Sequence, residues 1–140
     1  MSDVIVEEAE RALIEACRRG HAEVIEFTVA PRDLSPEQPR AGHEWLIEFA
    51  EPPRAPETFV RVLDETLQRL NPDYRMKRTG DVGMVAPRAL ELPAGTFHRW
   101  IRERGDTYRF ARVTSDRVMA DAILAAVTAH GRQPLIAIGS

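Results

Sequence analysis

Two short segments with alternating apolar and polar residues constrain the fold of this sequence more than any other feature. Segments 23–30 and 43–50 each carry a large apolar side chain at every second position: Ile25, Phe27 and Val29 in the first, and Trp45, Ile47 and Phe49 in the second. A period of two residues is typical of a β-strand that is buried on one face and wet on the other. We therefore predict two antiparallel strands, joined by a proline-rich loop over residues 31–42.

Outside these strands, apolar residues have the spacing of amphipathic helices. They recur every three or four positions in residues 4–17, 56–70, 96–104 and 118–127. Gly20 and the two arginines before it are expected to end the first helix. The last helix is expected to be capped by Thr114 or Ser115 and ended by Gly131.

The remaining segments predict further strands. Residues 84–92 are expected to form a third strand, with Pro87 at an edge or a bulge because proline cannot donate to a sheet. Residues 108–113 are predicted to be a short strand, residues 135–138 a terminal strand or an ordered tail, and residues 71–83 an irregular segment or a short helical extension. The predicted fold class is α+β, with a single mixed, largely antiparallel sheet and helices packed on it.

Composition narrows the class of protein. Residues 1–140 are predicted to form a single domain, because 44% of them are hydrophobic and no linker or repeat divides them. Cys17 is the only cysteine, so we expect no disulfide and a reducing, cytoplasmic location. The sequence shows neither a signal peptide nor a membrane span. A net charge of -3 argues against nucleic acid binding.

Cysteine, histidine, glutamate and arginine are the side chains of this sequence considered for a functional site. Cys17 is expected in the core, and the four histidines lack metal-ligand spacing, so no metal site is predicted. Glu26, Glu44 and Glu48 either converge for acid/base chemistry or form a solvated sheet face. Lys77 is the only lysine, so arginine supplies nearly all the positive charge. These arginines either form an anion-binding site or are solvated cations at the surface.

A series of short motifs is more specific than the composition. The sequence LNPDYRMKR over residues 70–78, the strand over residues 87–92, the AGTF turn over residues 94–97 and the following Trp100 occur in this order. Together with the two upstream strands, they resemble the C-terminal domain of the auxin-responsive promoter family, the Gretchen Hagen acyl acid amido synthetases. The resemblance extends from the first predicted helix to the last.

The resemblance implies a function. Full-length members of this family resemble other adenylate-forming enzymes, in which a large domain makes an acyl-adenylate from ATP and a carboxylic acid. The small C-terminal domain closes over the large one for transfer to an amino acid. We therefore expect this chain to act in trans with a separate adenylating protein, which supplies ATP and Mg²⁺, and to bind no cofactor alone. A small carboxylic acid or an amino acid is the expected ligand, whereas nucleic acid and membranes are not expected partners.

The same resemblance assigns the candidate site. The family's QxKxPR-like motif corresponds to residues 107–112, in which Arg109 stands at the position of the family lysine and Ala111 at that of the proline. Arg109 is therefore the expected catalytic residue, as a planar cation for phosphate and carboxylate oxygens. The expected anion-binding residues are Thr107, Arg112, Arg75 and Arg78.

Two alternatives remain open for this chain. Because the lysine and the proline of the motif are replaced, the first is a non-catalytic module that binds a small acid or a protein. Binding of a carboxylate without any effect of nucleotide would favour this module. The second is a small independent enzyme that uses Glu44 and Glu48, in which alanine at either position would abolish turnover.

Overall fold

The computed structural model describes residues 4–81, 83–129 and 136–138, which form a four-stranded sheet with helices packed on it. The helices are α1 (Val6–Gly20), α2 (Pro56–Leu70), α3 (Pro72–Arg78), α4 (Thr96–Arg104) and α5 (Val118–Ala129), and a 3₁₀ turn follows α3 at Thr79–Asp81. The strands are β1 (Glu23–Pro31), β2 (His43–Glu51), β3 (Arg88–Leu92) and β4 (Ile136–Ile138). The predicted α+β class is confirmed.

The sheet is mixed and has the strand order β1-β2-β3-β4. β1 and β2 form the predicted antiparallel pair, with Val29 opposite Trp45. β3 runs parallel to β2, because the connection through α2 and α3 returns the chain to the same end of the sheet. β4 is antiparallel to β3.

In the described part of the chain both faces of β2 are covered, so the solvated face considered for Glu44 and Glu48 is wrong. On one face, Phe27 and Trp45 stack with ring centroids 5.8 Å apart and pack against α1 and α2. On the other face, Leu46 packs against α4 and α5. Glu44 and Glu48 share this second face with Leu46, because alternate residues of a strand point the same way. Their exposure is only 7% and 2%.

The alternation of β1 breaks near its start, so Ile25 is not buried as predicted. The register against β2 shifts between Glu23 and Glu26, which marks a β-bulge. Val24 packs against the core in its place, whereas 53% of Ile25 is exposed.

Two other strand predictions need correction. The third strand begins only at Arg88, directly after Pro87, and it lies between β2 and β4 rather than at an edge. Residues 108–113 do not form a strand, since they make a single parallel bridge, between Val113 and Val29. The segment therefore makes one bridge to the edge of β1 and does not add a strand to the sheet.

The helix ends follow local chemistry. α1 ends at Gly20, as predicted, and the left-handed residue that follows it is His21, with a φ of 55°. The predicted helical extension after α2 is confirmed as α3. It begins where the Asn71 side chain accepts a hydrogen bond from the N–H of Tyr74 (2.9 Å).

The start of α5 differs from the prediction. The N–H of Val118 donates to the carboxylate of Asp116 (2.9 Å), so Asp116 fills the capping role expected of Thr114 or Ser115. The predicted helix end at Gly131 lies outside the described residues.

Candidate functional site

Arg109, the predicted catalytic residue, lies in the loop of residues 105–114 between α4 and α5, and aromatic side chains tie this loop to α4. The hydroxyl of Tyr108 accepts a hydrogen bond from Nε1 of Trp100 (3.4 Å). The ring of Phe110 meets that of Phe97 edge-on, with centroids 5.4 Å apart. Both side chains that flank Arg109 therefore turn inward.

The C-terminal part of the 105–114 loop is tied to β1. The N–H of Val29 donates to the carbonyl of Arg112 (2.8 Å), and the N–H of Thr114 donates to the carbonyl of Val29 (2.9 Å). The hydroxyl of Thr28 donates to the carbonyl of Ala111 (2.8 Å). Residues 111–114 thus lie along the outer edge of β1.

Arg112 is already bound by two carboxylates. Its Nε and Nη2 donate to the two oxygens of Glu26 (2.7 and 3.2 Å), and its Nη1 donates to Glu10. The hydrogen bond to Glu26 is the main reason why the pKa of Arg112 is raised. The guanidinium of Arg112 therefore connects the loop to α1 and β1.

Arg109 and Thr107 are the exposed members of the loop. Neither side chain makes a hydrogen bond or an ion pair with any other residue that the structure describes. Because Tyr108 and Phe110 point inward, the side chain of Arg109 between them points to solvent. Arg109 is thus a cation on an anchored backbone, with its five N–H donors directed outward.

The two candidate arginines of α3 have different surroundings. Arg78 binds Asp64 through two hydrogen bonds, from Nε to Oδ1 (2.9 Å) and from Nη2 to Oδ2 (2.7 Å), and only 10% of its side chain is exposed. Arg75 lies exposed on the same helix. The structure thus brings Thr107, Arg109 and Arg112 into one loop, whereas Arg75 and Arg78 lie on α3.

Asp64 is the polar residue that the sequence analysis missed. Besides Arg78, it accepts hydrogen bonds from the hydroxyl of Tyr74 (2.6 Å) and from the amide of Gln68 (3.2 Å). A signal was present in the sequence: Asp64 follows Val60 by four positions and precedes Leu67 by three, which places it on the buried stripe of α2.

His43 lies beside this network. Its ring stacks on that of Tyr74, with centroids 5.7 Å apart and 5° between the planes. Its Nδ1 is buried and has no hydrogen-bond partner among the described residues. Burial lowers the pKa of His43 to about 4, because the charged imidazolium is disfavoured away from water.

We expect acid to destabilise the protein through His43. The unfolded imidazole takes up a proton near 6.5 and the folded one near 4, so the unfolded state binds more protons between these values. The free energy of unfolding should therefore fall by about 2 kcal/mol from about pH 7 to about pH 5. Urea denaturation at the two pH values measures the change.

The same titration has a matched control. His43→Gln should lose most of this pH dependence, whereas His98→Gln, at an exposed position of α4, should retain it. An unchanged pH dependence in His43→Gln would contradict the assignment.

The three carboxylates considered for acid/base chemistry are all engaged in structural contacts. Glu26 binds Arg112, as described above. Glu44 accepts a hydrogen bond from Arg117 (2.9 Å). Glu48 accepts hydrogen bonds from two backbone N–H groups at the start of α4 (2.7 and 3.0 Å). Each carboxylate therefore holds two elements together.

Other candidate features of the chain carry no site of their own. Cys17 packs half-buried against the core, as predicted, and burial raises the pKa of its thiol. In the part of the chain that the structure describes, no three His, Cys, Asp or Glu side chains cluster as metal ligands would. None of the helices there combines the length and the apolar character of a bilayer span.

Comparison with known proteins gives consistent matches to one family. The family model described as "GH3 family C-terminal domain" matches residues 7–112, a range that includes all five candidate site residues. A solved structure described as "GH3.15 acyl acid amido synthetase" superimposes with a TM-score of 0.70 at 18% identity, covering 91% of this chain and 25% of that chain.

A second structure gives the same result. It is described as "AtGH3.15 acyl acid amido synthetase in complex with 2,4-DB" and has a TM-score of 0.67 at 17% identity, covering 96% of this chain and 25% of that chain. The chain thus spans about a quarter of the length of these synthetases and shares their fold over that part. Among curated proteins, none matches the sequence.

Proposed function

This chain belongs to the GH3 family and corresponds to its C-terminal domain, and on that premise we propose that it acts in trans as the closing domain of an acyl acid amido synthetase. The partner is an adenylating protein that binds ATP with Mg²⁺ and a small carboxylic acid. The reaction that the pair carries out is the formation of an amide between that acid and an amino acid.

The partner supplies the activated acid, and this chain supplies charge and closure. Adenylation joins the acid to the α-phosphate of ATP and releases pyrophosphate, and attack of the amine on the acyl carbon then releases AMP. Phosphate oxygens carry negative charge in both steps, so a positioned cation stabilises them, most strongly where closure excludes water. In this proposal Arg109 provides that cation.

The observation that carries the proposal is the contrast between Arg109 and the two candidate arginines that are already paired, Arg78 and Arg112. Arg78 and Arg112 are neutralised by carboxylates of this chain. Arg109 is exposed and has no such partner among the described residues. A guanidinium without a carboxylate of its own is available for the bidentate hydrogen bonds that phosphate and carboxylate groups accept.

The neighbours of Arg109 have defined parts in the proposal. Thr107 is exposed two residues away, and its hydroxyl is an additional donor for the same anion. Arg112 acts by holding the loop in place, since Glu10 and Glu26 occupy its guanidinium. Preorganisation of this kind lowers the entropic cost of placing Arg109 over a bound anion.

The first test of the proposal is recovery of the partner. The tagged chain should co-purify from the lysate of its own cells with a large adenylating protein, identified by mass spectrometry. Addition of this chain to that protein should stimulate ATP-dependent amide formation. Failure to recover an adenylating protein, or recovery of one whose amide formation does not respond to the chain, would contradict the proposal.

Replacing Arg109 by alanine should lower amide formation by the reconstituted pair about tenfold, the effect of losing one hydrogen-bonded charge contact. The free energy of unfolding should not change, because Arg109 has no partner within the described fold. Arg102→Ala, at an exposed position of α4, is the matched control and should retain full activity. Unchanged activity in Arg109→Ala would remove this residue from the mechanism.

A further inference from the structure

An apolar groove of about 700 Å³ lies between α1 and the outer edge of β1. Leu13, Ile14 and Cys17 of α1 line one side, and Val24 and Ile25 of β1 line the other. Ile14 is 67% exposed and Ile25, at the bulge in β1, is 53% exposed, and both line the groove. Large exposed apolar side chains that line one open groove indicate a binding surface.

The edge of β1 that borders the groove is a ready template for another strand. β1 is the first strand of the sheet, so the N–H and C=O groups of alternate residues point away from β2. At Val29 these groups pair with residues 112–114, which begin a ladder on the outer edge. Two residues earlier, the N–H of Phe27 meets only the carboxylate of its neighbour Glu26 (3.1 Å). Among the described residues, no backbone group pairs with this edge between Glu23 and Phe27.

The charges around the groove select the occupant. Three carboxylates line the groove, those of Glu10, Glu23 and Glu26. The two arginines of the groove already bind carboxylates: Arg18 binds Glu15, and Arg112 binds Glu10 and Glu26. The surface therefore complements a cation. Antiparallel pairing of β1 with β1 of a second copy would instead bring acidic residues of the two chains together, and opposed like charges destabilise a sheet.

We propose that this edge binds an extended segment of a partner protein, with alternating apolar and basic residues, which adds to β1 as a further strand. Its apolar side chains lie between Ile14 and Ile25, and a basic side chain meets Glu23, which is exposed and forms no ion pair with any other described residue. Its backbone continues the ladder that residues 112–114 begin at Val29. In this mode of recognition, main-chain hydrogen bonds provide the affinity and alternate side chains provide the specificity. The site is independent of the role proposed for Arg109.

A pair of synthetic peptides tests the site on the full chain. The ¹⁵N-labelled protein is titrated with the acetylated, amidated hexapeptide Lys-Val-Lys-Val-Lys-Val and, separately, with its Glu-Val counterpart. We expect the lysine peptide to shift the amide signals of residues 24–27 and the glutamate peptide to leave them in place. Absence of these shifts, or equal shifts with both peptides, would overturn the proposal.

Matched variants locate the binding surface. Ile25→Ser should weaken binding of the lysine peptide about tenfold, because it removes the apolar contact without adding a charge. Met76→Ser, which changes an exposed apolar residue of α3, should leave the affinity unchanged. Equal affinities in Ile25→Ser and the unmodified chain would overturn the proposal. So would a dimer in analytical ultracentrifugation that Ile25→Ser dissociates, since a second copy would then be the occupant.

Discussion

Replacing Asp64 by alanine should lower the free energy of unfolding by about 3–5 kcal/mol, because it removes one side of a nearly buried ion pair. Both carboxylate oxygens of Asp64 bind Arg78, and Oδ1 also accepts the hydroxyl of Tyr74 at 2.6 Å. Without Asp64, the guanidinium stays out of water without its carboxylate and the buried hydroxyl loses its acceptor. Each such loss is costly in a protein interior.

Urea denaturation measures the effect, and two further variants define its origin. Asp73→Ala breaks the exposed pair between Asp73 and Lys77 (3.2 Å) and should cost no more than about 0.5 kcal/mol. Asp64→Asn keeps an oxygen for Tyr74 but removes the charge, so its loss should fall between those of the two alanine variants. A loss below about 1 kcal/mol in Asp64→Ala would show that the pair does not hold α2 and α3 together.

The contacts of Asp64 also give a physical account of the LNPDYRMKR motif. Asn71 caps α3, while Tyr74 and Arg78, spaced four residues apart on that helix, both reach the same carboxylate of α2. The motif therefore describes how α3 is attached to α2. Its spacing was visible in the sequence, but its acceptor was not, because Asp64 lies several residues before the motif begins.

Elements whose pattern reflects burial along a single stretch of chain were predictable from the sequence. α1, α2, α4 and the pair β1 and β2 all follow from local periodicity, since each has a face against the core. The bulge at Ile25 was not predictable, because alternation continues through it in the sequence and only the pairing with β2 shifts.

The surroundings of the β2 carboxylates depended on distant residues. Glu44 and Glu48 alternate with apolar residues, a pattern that is the same for a solvated face and for a covered one. That face is covered by α4 and α5, which follow much later in the chain. Arg117, directly before α5, binds Glu44. Strand periodicity alone carries no information about such a second layer.

The conformation of the loop that carries Arg109 and Arg112 could be predicted only in part. The resemblance placed Arg109 and Arg112 in one motif, and alternation in the 105–114 loop does set Tyr108 and Phe110 inward. The strand prediction there was wrong because only one residue of the loop, Val113, bridges to the sheet. The pairing of Arg112 with Glu10 and Glu26 joins residues too far apart in sequence for any local pattern to indicate.

Glu48 is the residue through which the sheet positions this loop. Its two carboxylate oxygens accept the N–H groups of Gly95 (2.7 Å) and Phe97 (3.0 Å), at the start of α4. Gly95 has a φ of 85°, a left-handed conformation that favours glycine. A negative charge at this end of the helix also complements its dipole. α4 in turn carries Phe97 and Trp100, which hold the 105–114 loop.

Glu48→Ala should therefore lower the free energy of unfolding by about 3 kcal/mol, since two N–H groups near the sheet lose a charged acceptor. Glu51→Ala, at the exposed end of the same strand, should change it by less than about 0.5 kcal/mol. Amide hydrogen exchange adds a local readout: protection at Gly95 and Phe97 should fall in Glu48→Ala. If stability and protection were both retained, α4 would be held by the packing of Phe97 and Trp100 alone, and Glu48 would have no part in positioning Arg109.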